Sequence, residues 1–115
     1  MSTLSSALES LEREFRKLRE EIADALTLEA LQFREADQLR LAHGRLEGER
    51  DELVAHGEIR TGSVALKQLD RSFATLLQRE AVHRQKRRRV STQLRILRER
   101  LRLAVSKLDG LIRGT

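Results

Sequence analysis

The sequence predicts an all-α fold, a long antiparallel two-helix coiled-coil hairpin, from three observations: no proline in 115 residues, a leucine-rich heptad in each half, and a glycine-bounded break between the halves. The absence of proline removes the strongest helix breaker. Aromatic residues make up 3%, from Phe15, Phe33 and Phe73 alone, so side chains that favour pleated surfaces are scarce. Charged residues reach 36%, a proportion suited to solvated helices and too high for a wide globular core.

The first helix is expected over about 4–56. Its d positions are Leu4, Leu11, Leu18, Ala25, Gln32, Leu39, Leu46 and Leu53, and its a positions are Leu8, Phe15, Ile22, Glu29, Ala36, His43 and Arg50. An apolar stripe with a period of 3.5 residues has to be buried against another helix. Gly44 and Gly48 weaken this helix by roughly 1 kcal/mol each relative to alanine and permit a bend. A corner is expected over 57–63, where Gly57 and Gly62 stop the helix and Ser63 can cap the next one. The second helix follows over about 64–112. Its a positions are Leu66, Phe73, Glu80, Arg87, Leu94, Leu101 and Leu108, and its d positions are Leu69, Leu76, His83, Val90, Leu97, Ala104 and Leu111.

A short corner makes the two helices antiparallel neighbours within a single domain spanning 1–115. In that arrangement a layers of one helix face d layers of the other. Aligning the registers so that partner numbers sum to 119 centres the corner between Gly57 and Gly62, and sets Phe15 opposite Ala104, Ile22 opposite Leu97 and Leu53 opposite Leu66. The same alignment gathers the polar interruptions. Gln32 falls opposite Arg87, Ala36 opposite His83 and Leu39 opposite Glu80. Gln32, Glu80, His83 and Arg87 are therefore expected to form a hydrogen-bonded layer that sets the register. A sharper reading of the same level, a metal or pH-sensing site of His83, Glu80 and Glu35, lacks a second histidine at ligand spacing, so no metal site is assigned. His43 reads as a tolerated seam residue, and His56 sits beside the corner.

Charge divides the chain. Residues 1–58 hold 8 Lys and Arg against 14 Asp and Glu, a net of −6, whereas residues 59–115 hold 15 against 4, a net of +11. An acidic helix beside a basic one gains pairing specificity, with Glu14 and Glu21 facing residues such as Arg98, Arg100 and Lys107. Part of the surplus has no counterpart in the first helix. Arg84, Lys86, Arg88, Arg89, Arg95, Arg98 and Arg102 could contact an acidic partner or the phosphates of a nucleic acid. A solvated arginine-rich face, in a chain with 19 Arg and 4 Lys, explains the run equally well. No aromatic residue interleaves with it, which argues against a single-strand stacking platform.

Several apolar residues lie off the seam. Leu26, Leu28, Leu31 and Phe33 fall within eight residues of the first helix, and Ile96 and Leu103 share a stripe on the second. Two helices cannot cover them all, and a lone pair is marginal at about 25 cal/mol per Å2 of buried apolar surface. These six residues are therefore the expected partner-binding surface, used by self-association into a four-helix bundle or by docking on another protein.

Chemistry points the same way. The sequence holds no nucleophile, base and orienting group as a set and no glycine-rich phosphate loop, so neither an enzyme nor a cofactor or small-molecule site is expected. The N-terminal stretch has no apolar core of a signal peptide, and no run approaches 18 apolar residues, so no membrane association is expected. With no cysteine, a cytoplasmic setting fits. The expected function is a non-catalytic coiled-coil adaptor, scaffold or assembly factor; the alternative is a basic coiled-coil protein that binds nucleic acid through its second helix.

Overall fold

The computed structural model describes residues 3–57 and 64–114. They form two helices, α1 (Thr3–Ala55) and α2 (Val64–Arg113), with no strand among the described residues. α1 ends where expected. Gly57 adopts φ 66°, a left-handed conformation that glycine takes without steric cost, and its N–H bonds the Val54 carbonyl at 3.0 Å. The His56 N–H bonds the Glu52 carbonyl at 3.0 Å, and the His56 ring donates to the same oxygen from Nδ1 at 2.8 Å. The last free carbonyls of α1 are thereby partly satisfied. The expected roles of Gly62 and Ser63 in the corner lie outside the described residues.

α1 runs through Gly44 and Gly48 without a break in the helix. A methyl group added at either position would meet nothing within 4 Å. Gly44→Ala and Gly48→Ala should each therefore raise the unfolding free energy by about 1 kcal/mol, read from the urea midpoint at unchanged slope.

The chain forms two compact units. One joins Met1–Ala30 to Arg88–Thr115, and the other is Leu31–Arg87. In each unit a segment of α1 lies antiparallel to a segment of α2, the pairing of an all-α helical hairpin. The first unit has an apolar core of Leu11, Leu18, Ala25, Val90, Leu94, Leu97 and Ala104, with Phe15, Ile22, Leu101, Leu108 and Leu111 packed against it. Leu18 and Ala104 are fully buried. The large residues Phe15 and Leu18 and the small ones Ala25 and Ala104 fill the space between helices jointly, as dense packing requires. In the second unit Leu39, Leu69 and Leu76 are buried together with two polar residues, Gln32 and His83.

Burial separates the two seam positions, which the heptad alone treats as equivalent. Of the d positions in the first unit, Leu11, Leu18, Ala25, Val90, Leu97 and Ala104 are buried, and Leu4 and Leu111, near the helix ends, are half-buried. Of the a positions in that unit, Leu94 is buried, but Phe15, Ile22, Leu101 and Leu108 are half-buried and Leu8 is exposed. Each helix segment is turned so that d points at its neighbour and a points to one side. In an antiparallel pair the a and e positions of both helices share that side, and d and g share the other. The first unit thus has a closed d/g side and an open a/e side.

Candidate interaction surface

The closed side of the first unit is sealed by charge. Arg100 Nη1 donates to Glu21 Oε2 at 3.2 Å, and Lys107 Nζ lies 4.0 Å from Glu14 Oε2. All four residues are g positions, so the acids of α1 and the bases of α2 meet along one edge. Each pair is substantially exposed and contributes little energy by itself. Their effect is to fix which flank is which.

Among the described residues the open side has no such cross-helix pairing. Its e positions include Arg19 on α1 and Arg98 on α2, with Leu26 and Val105 nearby in the same rows. Among the described residues no carboxylate lies within 4 Å of Arg19, Arg88, Arg95 or Arg98. Glu12, an e residue on this edge, is already bridged by Arg16 at 3.2 Å. The asymmetry comes straight from the sequence. Glu14, Glu21, Glu35 and Glu49 occupy g positions of α1, which carry no Lys or Arg, while its e positions mix Glu12 and Glu47 with Arg19, Arg40, Leu26 and Phe33.

The expected partner-binding residues do not share one face. In the first unit Leu26 stands on the open side, Leu28 on the closed side, and Ile96 and Leu103 on the outer c stripe of α2. All four are between 44% and 53% exposed. Ile96 borders a shallow groove with Arg89, Gln93, Arg100 and Glu21. In the second unit Leu31 points outward from α1, and the Phe33 ring lies under the Arg87 guanidinium, 5.6 Å from it. That contact covers part of Phe33.

The expected basic set also divides. Arg88, Arg95 and Arg102 stand in line at b positions of the first unit with Arg98 beside them, whereas Arg89 lies on the c stripe with Ile96. Arg102 is engaged by Glu99, with contacts of 2.6 to 3.2 Å. That hydrogen bonding holds the Glu99 carboxyl below the usual carboxylate range and pushes Arg102 up. Arg84 and Lys86 belong to the second unit, where Lys86 borders a groove with Glu35 and His83.

Of the four residues expected in a polar layer, Gln32 and His83 are buried, whereas Glu80 is half-buried and Arg87 exposed. His83, buried, donates from Nε2 to the backbone carbonyl of Gln32 at 2.9 Å, with Glu35 Oε2 at 3.9 Å. Glu80 Oε1 instead lies 3.2 Å from His43 Nδ1, and Glu47 Oε1 lies 2.9 Å from His43 Nε2. His43 also meets Phe73 edge-on at 6.0 Å. Arg87 is drawn out of the layer onto Phe33. An arginine at a solvent-edge a position gains more by staying hydrated over a ring than by entering the seam. In the second unit, then, the a side is closed by polar and aromatic contacts, including Arg50 over Phe73 at 5.8 Å. No group of three or more His, Asp or Glu among the described residues could hold a metal ion, and no described helix is long and apolar enough to cross a membrane.

Comparison of the chain with protein-family models, with curated proteins and with solved structures finds no match. A functional reading therefore rests on the geometry of the two units.

Proposed function

We propose that the protein is a non-catalytic adaptor or assembly factor of the cytoplasm, binding another protein chain along the open side of its first unit. One observation carries the reading: the apolar a row, Phe15, Ile22, Leu101 and Leu108, is left half-exposed on the side where no cross-helix ion pair lies among the described residues. Fourteen large apolar side chains are exposed among the described residues against ten buried apolar residues. Leu8, Leu26, Val105 and Ile112 are among the exposed ones and share the a/e side of the first unit with that row, and apolar surface gathered on one side marks an interaction site. Covering the a row would complete a seam that two helices bury on one side only.

The arginine row favours a second reading, nucleic-acid binding by Arg88, Arg95, Arg98 and Arg102 through phosphate contacts. Salt separates the two. Four phosphate contacts would weaken about a hundredfold between about 0.05 and 0.2 M salt, whereas apolar docking would hold. The test is recovery of bound protein from nuclease-treated lysate, with sedimentation to follow self-association. Leu8→Gln/Ile22→Gln, on the open side, should lose the partner or the self-association, while Leu28→Gln, on the closed side, should keep it. Equal retention by both variants, each folded by circular dichroism, would discard the reading.

A further inference from the structure

We infer that the open side of the first unit is a receptor groove for one acidic amphipathic helix of a partner protein. The inference rests on the adaptor reading and specifies what is bound. The floor has two parallel apolar rows, Phe15 and Ile22 on α1 and Leu101 and Leu108 on α2, all packed against the core yet half-exposed. Within each row the residues are seven apart, about 10.5 Å along a helix axis. Two such rows match a third helix carrying its own heptad stripe, the geometry of helix-in-groove recognition.

The rims decide the charge of the occupant. Arg19 borders the floor from α1, where the other charged e residue, Glu12, is taken up by Arg16 at 3.2 Å, and Arg98 borders it from α2; neither Arg19 nor Arg98 has a carboxylate within 4 Å among the described residues. A helix lying between them gains from Glu or Asp on both of its flanks and is repelled if it carries Lys or Arg. A second copy of this chain is the poorer occupant, because a two-fold contact sets like surface on like and brings the same arginines together. Duplex nucleic acid could pair with the rims, but its phosphates have no use for the apolar floor.

The test uses the full chain and a labelled synthetic peptide of about three heptads, with Leu at its a and d positions and Glu at the flanking ones. The expected result is binding at least about tenfold tighter than the same peptide with Lys for Glu, and no binding by a scrambled peptide of equal composition. R19E/R98E changes two exposed residues and should reverse the order of the Glu and Lys peptides. Equal binding of the scrambled peptide, displacement by duplex DNA of equal charge, or an unreversed order in the variant would overturn the proposal. If sedimentation shows a dimer that R19E/R98E dissociates or tightens, a second copy occupies the groove: the acidic helix is then wrong although the adaptor face stands. A monomer that binds no peptide, with every partner retained by Leu8→Gln/Ile22→Gln, would sink both.

Discussion

Leu18→Ala is expected to lower the unfolding free energy by about 3 kcal/mol, the largest loss available from a single truncation in the first unit. Leu18 is a d residue with no exposed surface, and it belongs to the cluster that also holds Leu11, Ala25, Leu97 and Ala104. Truncation removes its transfer free energy and leaves a cavity that the neighbouring leucines fill only in part. Stability measured by urea titration should fall sharply, and hydrogen exchange should rise over 3–30 and 88–113. Leu28→Ala is the control. It removes the same atoms from a residue 44% exposed on the closed flank and should cost no more than about 0.5 kcal/mol. Equal losses in the two variants would mean that the d row is not the structural centre.

The second large effect has the opposite sign. Gln32→Leu/His83→Leu is expected to raise the unfolding free energy by about 2 kcal/mol, because both are buried d residues and leucine fills such positions without polar desolvation. What is lost is discrimination. The bond from His83 to the Gln32 carbonyl is made at one register only, and a seam of leucines can slide or recruit further copies. A higher urea midpoint together with mixed species in sedimentation is the expected outcome. A lower midpoint would show that the His83 bond is itself a net stabiliser, beyond the about 1 kcal/mol of an ordinary hydrogen bond.

Much of the fold was legible from the heptads. Both helices, the stop at Gly57 and the antiparallel pairing follow from apolar spacing and glycine placement, because a period of 3.5 residues leaves few other solutions. Cross-helix pairs such as Glu21 with Arg100 and His43 with Glu80 fall close to the expected alignment, with partner numbers summing to 121 and 123 against 119. The site was less legible. Leu26, Leu28, Ile96 and Leu103 are exposed apolar residues, as their positions off the seam imply, but they belong to different faces. Composition counts such residues and cannot say which share a surface. Arg19 does not stand out in the sequence beside the long basic run of α2, and only its e position, across the helix from the g-position acids of α1, sets it apart.

By itself the sequence determined what is periodic: two helices, their stripes, the side of α1 that carries its acids, and the break between them. Only tertiary structure decided how far each helix turns about its own axis. That rotation is set by the sum of packing at Leu11, Leu18, Leu97 and Ala104 with the ion pairs of Glu14 and Glu21, long-range terms that no single segment contains. It buries most of the d row, leaves Phe15, Ile22, Leu101 and Leu108 half in water, and so makes the two sides of a symmetrical stripe unlike.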